Sequence, residues 1–209
     1  MVNNLTVTKL ERRLEAVGCR TVSEAELLAR FVELLTKWNR KINLTSLHLE
    51  PLSDEAIDRL IVEPVLASRF VTRPDSRIVD LGSGGGSPAI PFRSQLPAAT
   101  LRMVESRSRK CAFLREVVRT LGLAEVSVEE SRFEELIGRE DLRACADLIT
   151  VRAVRFDDRL LELMRFLLSP GGLVYGFTSH DSPLPAGLEL VSAHALLPDA
   201  SNLLILRLA

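Results

Sequence analysis

The spacing of apolar residues changes character near residue 77 of this 209-residue chain. Upstream, apolar side chains such as Phe31, Leu34 and Leu35 recur at helical spacing, which predicts amphipathic helices over 1–76. Downstream, short apolar runs alternate with amphipathic stretches, a pattern typical of strands separated by helices. The chain is therefore predicted to consist of a helical N-terminal part followed by an α/β part.

The α/β part contains seven apolar runs that are predicted to be strands. Alternating strands and helices imply a parallel sheet with right-handed crossovers, and the last two runs are predicted to form an antiparallel hairpin after a loop at 179–187. We expect a mostly parallel, Rossmann-like α/β sheet over 77–209, with an N-terminal helical extension over 1–76. The predicted strands are 77–81, 100–105, 125–129, 146–151, 172–177, 188–193 and 203–208, and the helices between them are 88–95, 107–121, 132–137 and 156–168.

The first predicted strand runs into a turn made almost entirely of glycine. Gly82, Gly84 and Gly86 give the spacing G-x-G-x-G, with Asp80 before the turn and Ser87 after it. A strand, a glycine turn and a helix N-terminus place backbone N–H groups around one ligand. A dinucleotide fingerprint needs a third glycine where this chain has serine, and a P-loop needs a lysine that does not follow. The spacing resembles motif I of the class I S-adenosylmethionine (SAM) methyltransferases; the alternative is a glycine-rich surface loop.

Two further charged residues end predicted strands of the same sheet. Glu105 closes the second strand, where a carboxylate can accept the hydroxyl groups of a ribose, although it could also be a surface acid or a helix N-terminal charge. Arg152 closes the fourth strand, and a buried arginine requires an anion. That anion could be the SAM carboxylate, an RNA phosphate or, in a purely structural role, an acid such as Asp80 or Glu134.

One segment of the helical part has a composition suited to RNA. Lys37, Arg40 and Lys41 surround a tryptophan, and basic residues beside an aromatic ring suit phosphates and stacked bases. Such a segment is otherwise a solvated helix end. Because the net charge is −1, any contact with nucleic acid must come from a local patch of this kind.

Cysteine and histidine usage argues against a disulfide framework or a metal site. Cys19, Cys111 and Cys145 are scattered without C-x-x-C spacing, and the histidines have no metal-ligand spacing. We therefore expect a reducing, cytoplasmic environment. We also expect no membrane partner, because no apolar run is long enough to span a bilayer and the N-terminus lacks a signal-peptide h-region.

The order of motifs along residues 30–175 resembles the bacterial small-subunit rRNA methyltransferase G family, also called glucose-inhibited division protein B. Single motifs such as the glycine turn identify only the superfamily, whereas the whole series is more specific. The elements that carry the resemblance are Trp38-Asn39 with Asn43-Leu44-Thr45, Asp80 to Gly86, Glu105 with Lys110 and Phe113-Leu114, Ser131-Arg132-Phe133-Glu134-Glu135, and Val151-Arg152-Ala153.

The resemblance implies SAM-dependent methylation of N7 of one guanine in 16S rRNA. It also implies that the partner is 16S rRNA or a small-subunit particle, and we expect a monomer with no DNA partner. Guanine N7 carries no proton, so the enzyme's task is placement and electrostatics, for which we name Arg152 and Asn43 as candidate catalytic residues. The candidate cofactor-binding residues are Asp80, Gly82, Gly84, Gly86, Ser87, Glu105, Phe133, Glu134 and Arg152, with Phe133 against adenine and Glu134 at its edge.

The chain also departs from the family's pattern. Ser87 stands where a bulky apolar residue is usual, and Asp58-Arg59-Leu60 and Glu63-Pro64 occupy a region where Arg-His and Asp-Ser are common. Two alternatives therefore stay open. One is a class I methyltransferase that acts on another RNA or on a small molecule, and the other is a non-catalytic SAM- or RNA-binding relative.

Overall fold

The computed structural model describes residues 4–19, 22–178, 186–198 and 201–209. Within them, one sheet has the strand order β3-β2-β1-β4-β5-β7-β6, and β7 is antiparallel to both of its neighbours. The first five strands are parallel. The strands are β1 (Arg77–Leu81), β2 (Thr100–Glu105), β3 (Val126–Glu130), β4 (Ala146–Arg152), β5 (Leu168–Thr178), β6 (Leu188–Ala195) and β7 (Asn202–Leu208).

Helices precede the sheet and connect its parallel strands. A π-helical segment, Asp58–Val62, joins two short helices, and a 3₁₀ turn, Glu140–Leu142, precedes β4. Among the described residues, no helix has both the length and the apolar character that crossing a membrane requires. The helices are α1 (Asn4–Ala16), α2 (Val22–Asn39), α3 (Asp54–Ile57), α4 (Glu63–Ser68), α5 (Ala89–Ser94), α6 (Ser108–Leu121), α7 (Phe133–Leu136) and α8 (Asp158–Leu167).

Successive side chains of a strand point to opposite faces of the sheet, so neighbouring residues belong to two separate hydrophobic cores. On β1, Ile78 joins a cluster with α1, α2, α5 and α6, whereas Val79 joins a second cluster with α8. We call these sides the first and second face of the sheet. Phe31 of α2 and Phe113 of α6 are fully buried in the first-face cluster. The N-terminal helices and the sheet therefore share one core.

The largest difference from the predicted strand bounds is at the start of β5, whereas the helix over 53–70 is predicted from the sequence to be bent or interrupted at Pro64. β5 begins at Leu168 rather than at 172, because Ala146 pairs with Leu168 before a bulge in the β4–β5 register. The helical stretch before β1 is interrupted ahead of Pro64 by the π-helical segment, in which the N–H of Glu63 donates to the carbonyl of Asp58. Of the loop predicted at 179–187, residues 179–185 lie outside the described residues.

Candidate active site at the glycine turn

The glycine turn follows β1 at the carboxyl edge of the sheet. Gly82, Gly84 and Gly86 have φ values of +78°, +50° and +83°, a region that favours glycine. At Gly82, a Cβ would lie 2.7 Å from Cγ2 of Val154, so no side chain fits there without movement. The N–H of Gly82 donates to the carbonyl of Val104 at 2.9 Å, which ties the turn to the end of β2.

The carboxylate of Glu105 braces the turn. Its Oε2 accepts from the N–H of Gly84 at 3.0 Å, and its Oε1 accepts from the N–H of Arg107 at 2.9 Å. Glu105 is only 7% exposed. Because each carboxylate oxygen has two lone pairs, these bonds leave acceptor capacity for the hydroxyl groups of a ribose.

The N-terminal helices form the other wall of the turn. A Cβ at Gly86 would lie 3.1 Å from Cε2 of Phe31, and one at Gly85 would lie 3.2 Å from the carbonyl oxygen of Leu44. Asn39 secures this wall, since its Oδ1 accepts from the N–H groups of Leu44 and Thr45 at 2.9 and 3.0 Å. Its Nδ2 donates to the carbonyl of Thr45 at 3.1 Å. Sequence reasoning used Asn39 as part of a motif but missed this positioning role.

Two cavities open on either side of Gly82. The larger, of about 500 Å³, is lined by the turn, by Leu44 to Leu47 and by side chains that include Arg59, Lys110 and Arg152. The smaller, of about 340 Å³, is lined by Gly82, Glu105, Ser106, Arg132, Phe133 and Glu134. The turn therefore lies between a cationic cavity and one with an aromatic ring and two acids.

The structure thus brings most of the predicted cofactor-binding residues together. Gly84, Ser87 and Arg152 line the larger cavity, Glu105, Phe133 and Glu134 line the smaller one, and Gly82 lines both. Asp80 and Gly86 are buried beneath the turn. Asn43, predicted to be catalytic, is exposed and does not belong to the described lining of either cavity. Arg59 and Lys110 line the larger cavity although the sequence did not place them in the site.

Arg152 forms an ion pair with an acid that the sequence did not predict. Its Nη2 lies 2.5 Å from Oε2 of Glu63, which is fully buried. Its Nη1 donates to the carbonyl of Arg59 and to Oγ of Ser87, and its guanidinium lies 4.3 Å from the ring centroid of Phe177. Burial lowers the pKa of Arg152 to about 10, so the side chain is still protonated at neutral pH. Neither Asp80 nor Glu134 is the partner.

The π-helical segment supplies the backbone acceptors for this cluster. Proline has no N–H, so Pro64 cannot donate to the carbonyl of Leu60 in an α-helical pattern or to that of Arg59 in a π-helical one. Side chains reach these carbonyls instead: Oγ of Ser87 donates to Leu60 at 2.8 Å, and Arg152 donates to Arg59. The helix irregularity therefore positions both candidate residues.

Asp80 is buried on the first face beside this cluster. Its Oδ1 accepts from the hydroxyl of Thr150 at 2.6 Å. Among the described residues, nothing bonds its Oδ2 or the Nε of Arg152. Burial raises the pKa of Asp80 to about 6.

The remaining candidate residues lie on the surface. Glu134 accepts from Nη1 of Arg159 at 2.9 Å. Lys37, Arg40 and Lys41 are exposed. Arg40 also pairs with Glu50, donating from its Nε at 2.7 Å. Such exposed ion pairs contribute only about 0–1 kcal/mol to folding stability. The arginine can therefore exchange its carboxylate partner for another anion at little cost.

The strand order and the glycine turn between two cavities define a class I methyltransferase. A SAM-dependent methyltransferase from Aquifex aeolicus has the same fold, with a TM-score of 0.56 and 14% identity over 76% of this chain and 96% of that one. Residues 24–181 match the family model for rRNA small subunit methyltransferase G. The chain belongs to this family.

Curated relatives agree with the family match. The ribosomal RNA small subunit methyltransferase G of Xanthomonas euvesicatoria pv. vesicatoria is 34% identical over 194 residues, which covers 90% of this chain and 86% of the relative. The enzyme of the same name from Stenotrophomonas maltophilia K279a is 34% identical over 188 residues, covering 87% and 83%. The predicted fold class and family are thereby confirmed.

SAM is the cofactor of this family, and the residues present fit it. The turn offers a cradle that side chains would fill at Gly82, and Glu105 keeps lone pairs for a ribose. The unbonded Oδ2 of Asp80 and Nε of Arg152 provide one acceptor and one donor near the turn. Within the described residues, no cluster of histidine, cysteine and acidic side chains could hold a metal ion.

The raised pKa of Asp80 predicts a pH dependence of folding stability. The folded-state pKa of about 6 lies above the ordinary value of 3.8, so the folded state binds more protons between these pH values. Stability should therefore rise as pH falls from 7 to 5, by about 1 kcal/mol from this group. Urea unfolding across this range measures it. In Asp80→Asn this increase in the free energy of unfolding should disappear. If the variant kept the full increase, other groups would be responsible for it.

Proposed function

We propose that the protein transfers the methyl group of SAM to N7 of one guanine in 16S rRNA. The observation that carries the proposal is the glycine turn braced by Glu105 in a chain whose relatives are named ribosomal RNA small subunit methyltransferase G. The substrate is 16S rRNA or a small-subunit particle, in the cytoplasm, and the protein acts as a monomer. In this proposal residues 1–76 form a helical extension of a methyltransferase domain at 77–209.

The reaction requires the guanine to be placed correctly and requires no proton transfer. SAM supplies an electrophilic methyl group when it is bound. The lone pair of N7 forms the bond to the methyl carbon while the carbon–sulfur bond breaks and its electron pair stays on sulfur. Because N7 carries no proton, no general base is required, and the protein must hold the purine in line.

We assign roles within the site according to the cavities. Glu105 accepts from the ribose, Phe133 lies against the adenine, and Glu134 with its neighbouring backbone reads the adenine edge. Arg152, in the larger cavity, faces the carboxylate of the methionine part. The catalytic role of Asn43 stays a prediction, and its exposure favours a contact with RNA over one with the cofactor.

Cations at the carboxyl edge support an RNA substrate. Arg59, Arg107, Arg109, Lys110 and Arg155 lie between α3 and α4 or on the segments after β2 and β4, and none has an acid partner among the described residues. Two arginines at the opposite edge of the sheet have acid partners, since Arg119 pairs with Glu116 and Arg143 pairs with Glu140. Arg59 and Lys110 line the larger cavity, and cations without an acid partner suit phosphate contacts. Lys37 near the end of α2, with Arg40 and Lys41 directly after the helix, adds three exposed cations.

Methyl transfer in vitro tests the proposed function. Purified protein, SAM and small subunits from a gene-deletion strain should yield 7-methylguanosine at one position of 16S rRNA, measured by mass spectrometry of nucleosides. Gly84→Val should abolish the product and the binding of S-adenosylhomocysteine, because a β-branched residue is strongly disfavoured at φ +50° in the cradle.

Gly171→Val is the matched control. Gly171 also has positive φ, lies at the opposite edge of the sheet and has no described atom within 4 Å of a Cβ. This variant should keep cofactor binding. Methylation of another base, or cofactor binding with no RNA product, would overturn the proposal in favour of another substrate or a non-catalytic role.

The salt dependence of RNA binding tests the α2 surface. Arg40→Ala with Lys41→Ala should reduce the slope of log K against log salt by about 0.7 to 1 for each phosphate that the variant no longer neutralises. Affinity for S-adenosylhomocysteine should not change. Arg119→Ala with Arg143→Ala removes the same charge from exposed, paired arginines at the opposite edge of the sheet and should leave the slope intact. If the first double variant also keeps its slope, Arg40 and Lys41 belong to a solvated helix end.

A further inference from the structure

We propose that Glu63 is a positioning residue that fixes Arg152 for recognition of the carboxylate of SAM. The inference rests on the proposed function, since it concerns the same cavity. Glu63 begins α4, whereas Arg152 ends β4, and the two residues are 89 positions apart. Nothing in the local pattern of the sequence pairs them.

Glu63 is fully buried and both of its oxygens are bonded. Oε2 accepts from Nη2 of Arg152 at 2.5 Å, and Oε1 accepts from the N–H of Ser201 at 3.1 Å. Ser201 is itself buried and directly precedes β7. The carboxylate therefore ties the start of α4 to the connection before β7 and cannot rotate without breaking a bond at each oxygen.

The contacts of Arg152 leave one part of its guanidinium without a partner. Nη1 is occupied by Arg59 and Ser87, one face lies on Phe177, and Nη2 bonds Glu63. Within the described residues, Nε has no acceptor although it is buried. Nε and Nη2 are the two donors with which arginine holds a carboxylate side-on. Glu63 thus orients a guanidinium that lines the larger cavity and has one buried donor without a partner among the described residues.

A buried ion pair is an expensive way to stabilise a fold. Desolvation of both charges offsets most of their attraction, and apolar residues of similar volume often serve as well. A positioning role accounts for the arrangement, because it sets the direction of a charged group that must meet a ligand carboxylate. The pair also depends on the π-helical segment, which turns the carbonyl of Arg59 toward the same guanidinium.

Two ligands separate a positioning role from a structural one. S-adenosylhomocysteine contains the carboxylate, whereas 5′-methylthioadenosine has the same adenosine and sulfur but no amino-acid part. Glu63→Asp keeps the charge and shortens the side chain by one methylene. We expect the Kd of S-adenosylhomocysteine to rise about tenfold, while the Kd of 5′-methylthioadenosine stays within twofold. Calorimetry on the purified full chain measures both.

Asp147→Glu provides a control that also keeps charge and changes length by one methylene. Asp147 pairs with Arg77 at 2.8 Å at the opposite edge of the sheet. This variant should lower the melting temperature without changing either Kd. Glu63→Gln, which keeps the length of the side chain but removes the charge that holds Arg152, should weaken S-adenosylhomocysteine binding in the same selective way and serves if Glu63→Asp does not fold.

If Glu63→Asp raised the Kd of both ligands to the same extent, or left the Kd of S-adenosylhomocysteine unchanged, the inference would be overturned and Glu63 would be a structural residue. Failure of the proposed function is visible separately. In that case the wild-type protein would bind neither ligand, or would bind both and methylate no rRNA.

Discussion

The glycine turn is held from two sides, and this constraint shapes the proposed cofactor site. The carboxylate of Glu105 bonds the N–H of Gly84 from the sheet. On the other side, Phe31 lies so close to Gly86 that a single added carbon would make a tight contact at 3.1 Å. A loop of glycines has the largest conformational entropy to lose on folding. Clamping it beforehand means that a ligand does not have to order it.

The polar cluster around Arg152 shows a different balance of forces. It places a guanidinium, the Glu63 carboxylate and two helix carbonyls in a largely buried space, where unpaired groups are costly. An irregular helix supplies the acceptors. Pro64 has no N–H to donate to the preceding turn, so the side chains of Ser87 and Arg152 donate to the free carbonyls of Leu60 and Arg59. Ser87 thus has a hydrogen-bonding function here.

Local patterns were sufficient to predict the sheet, its turn and the class of protein. Strand runs, glycine spacing and a terminal acid such as Glu105 are short-range signals that need no tertiary information. The position of β7 between β5 and β6 was not predictable in the same way. A hairpin of β6 and β7 could pair with β5 through either of its two strands. The partner of Arg152 was not predictable either, because it comes from an element 89 residues away. Asn39 illustrates a middle case, in which the motif was visible but its three hydrogen bonds to the cavity wall were not.

We infer that the N-terminal helices and the sheet together shape the proposed cofactor site. Gly86→Ala tests it, with Gly122→Ala as its match, since Gly122 has φ +63° and no described atom within 4 Å of a Cβ.

One titration series, S-adenosylhomocysteine binding to the two variants, decides the matter. Gly122→Ala should cost about 1 kcal/mol of stability from backbone strain alone and leave the Kd unchanged. Gly86→Ala should displace the turn from Phe31 and raise the Kd at least tenfold. Equal affinities in the two variants would contradict the claim and would mean that the turn holds its shape without the helices.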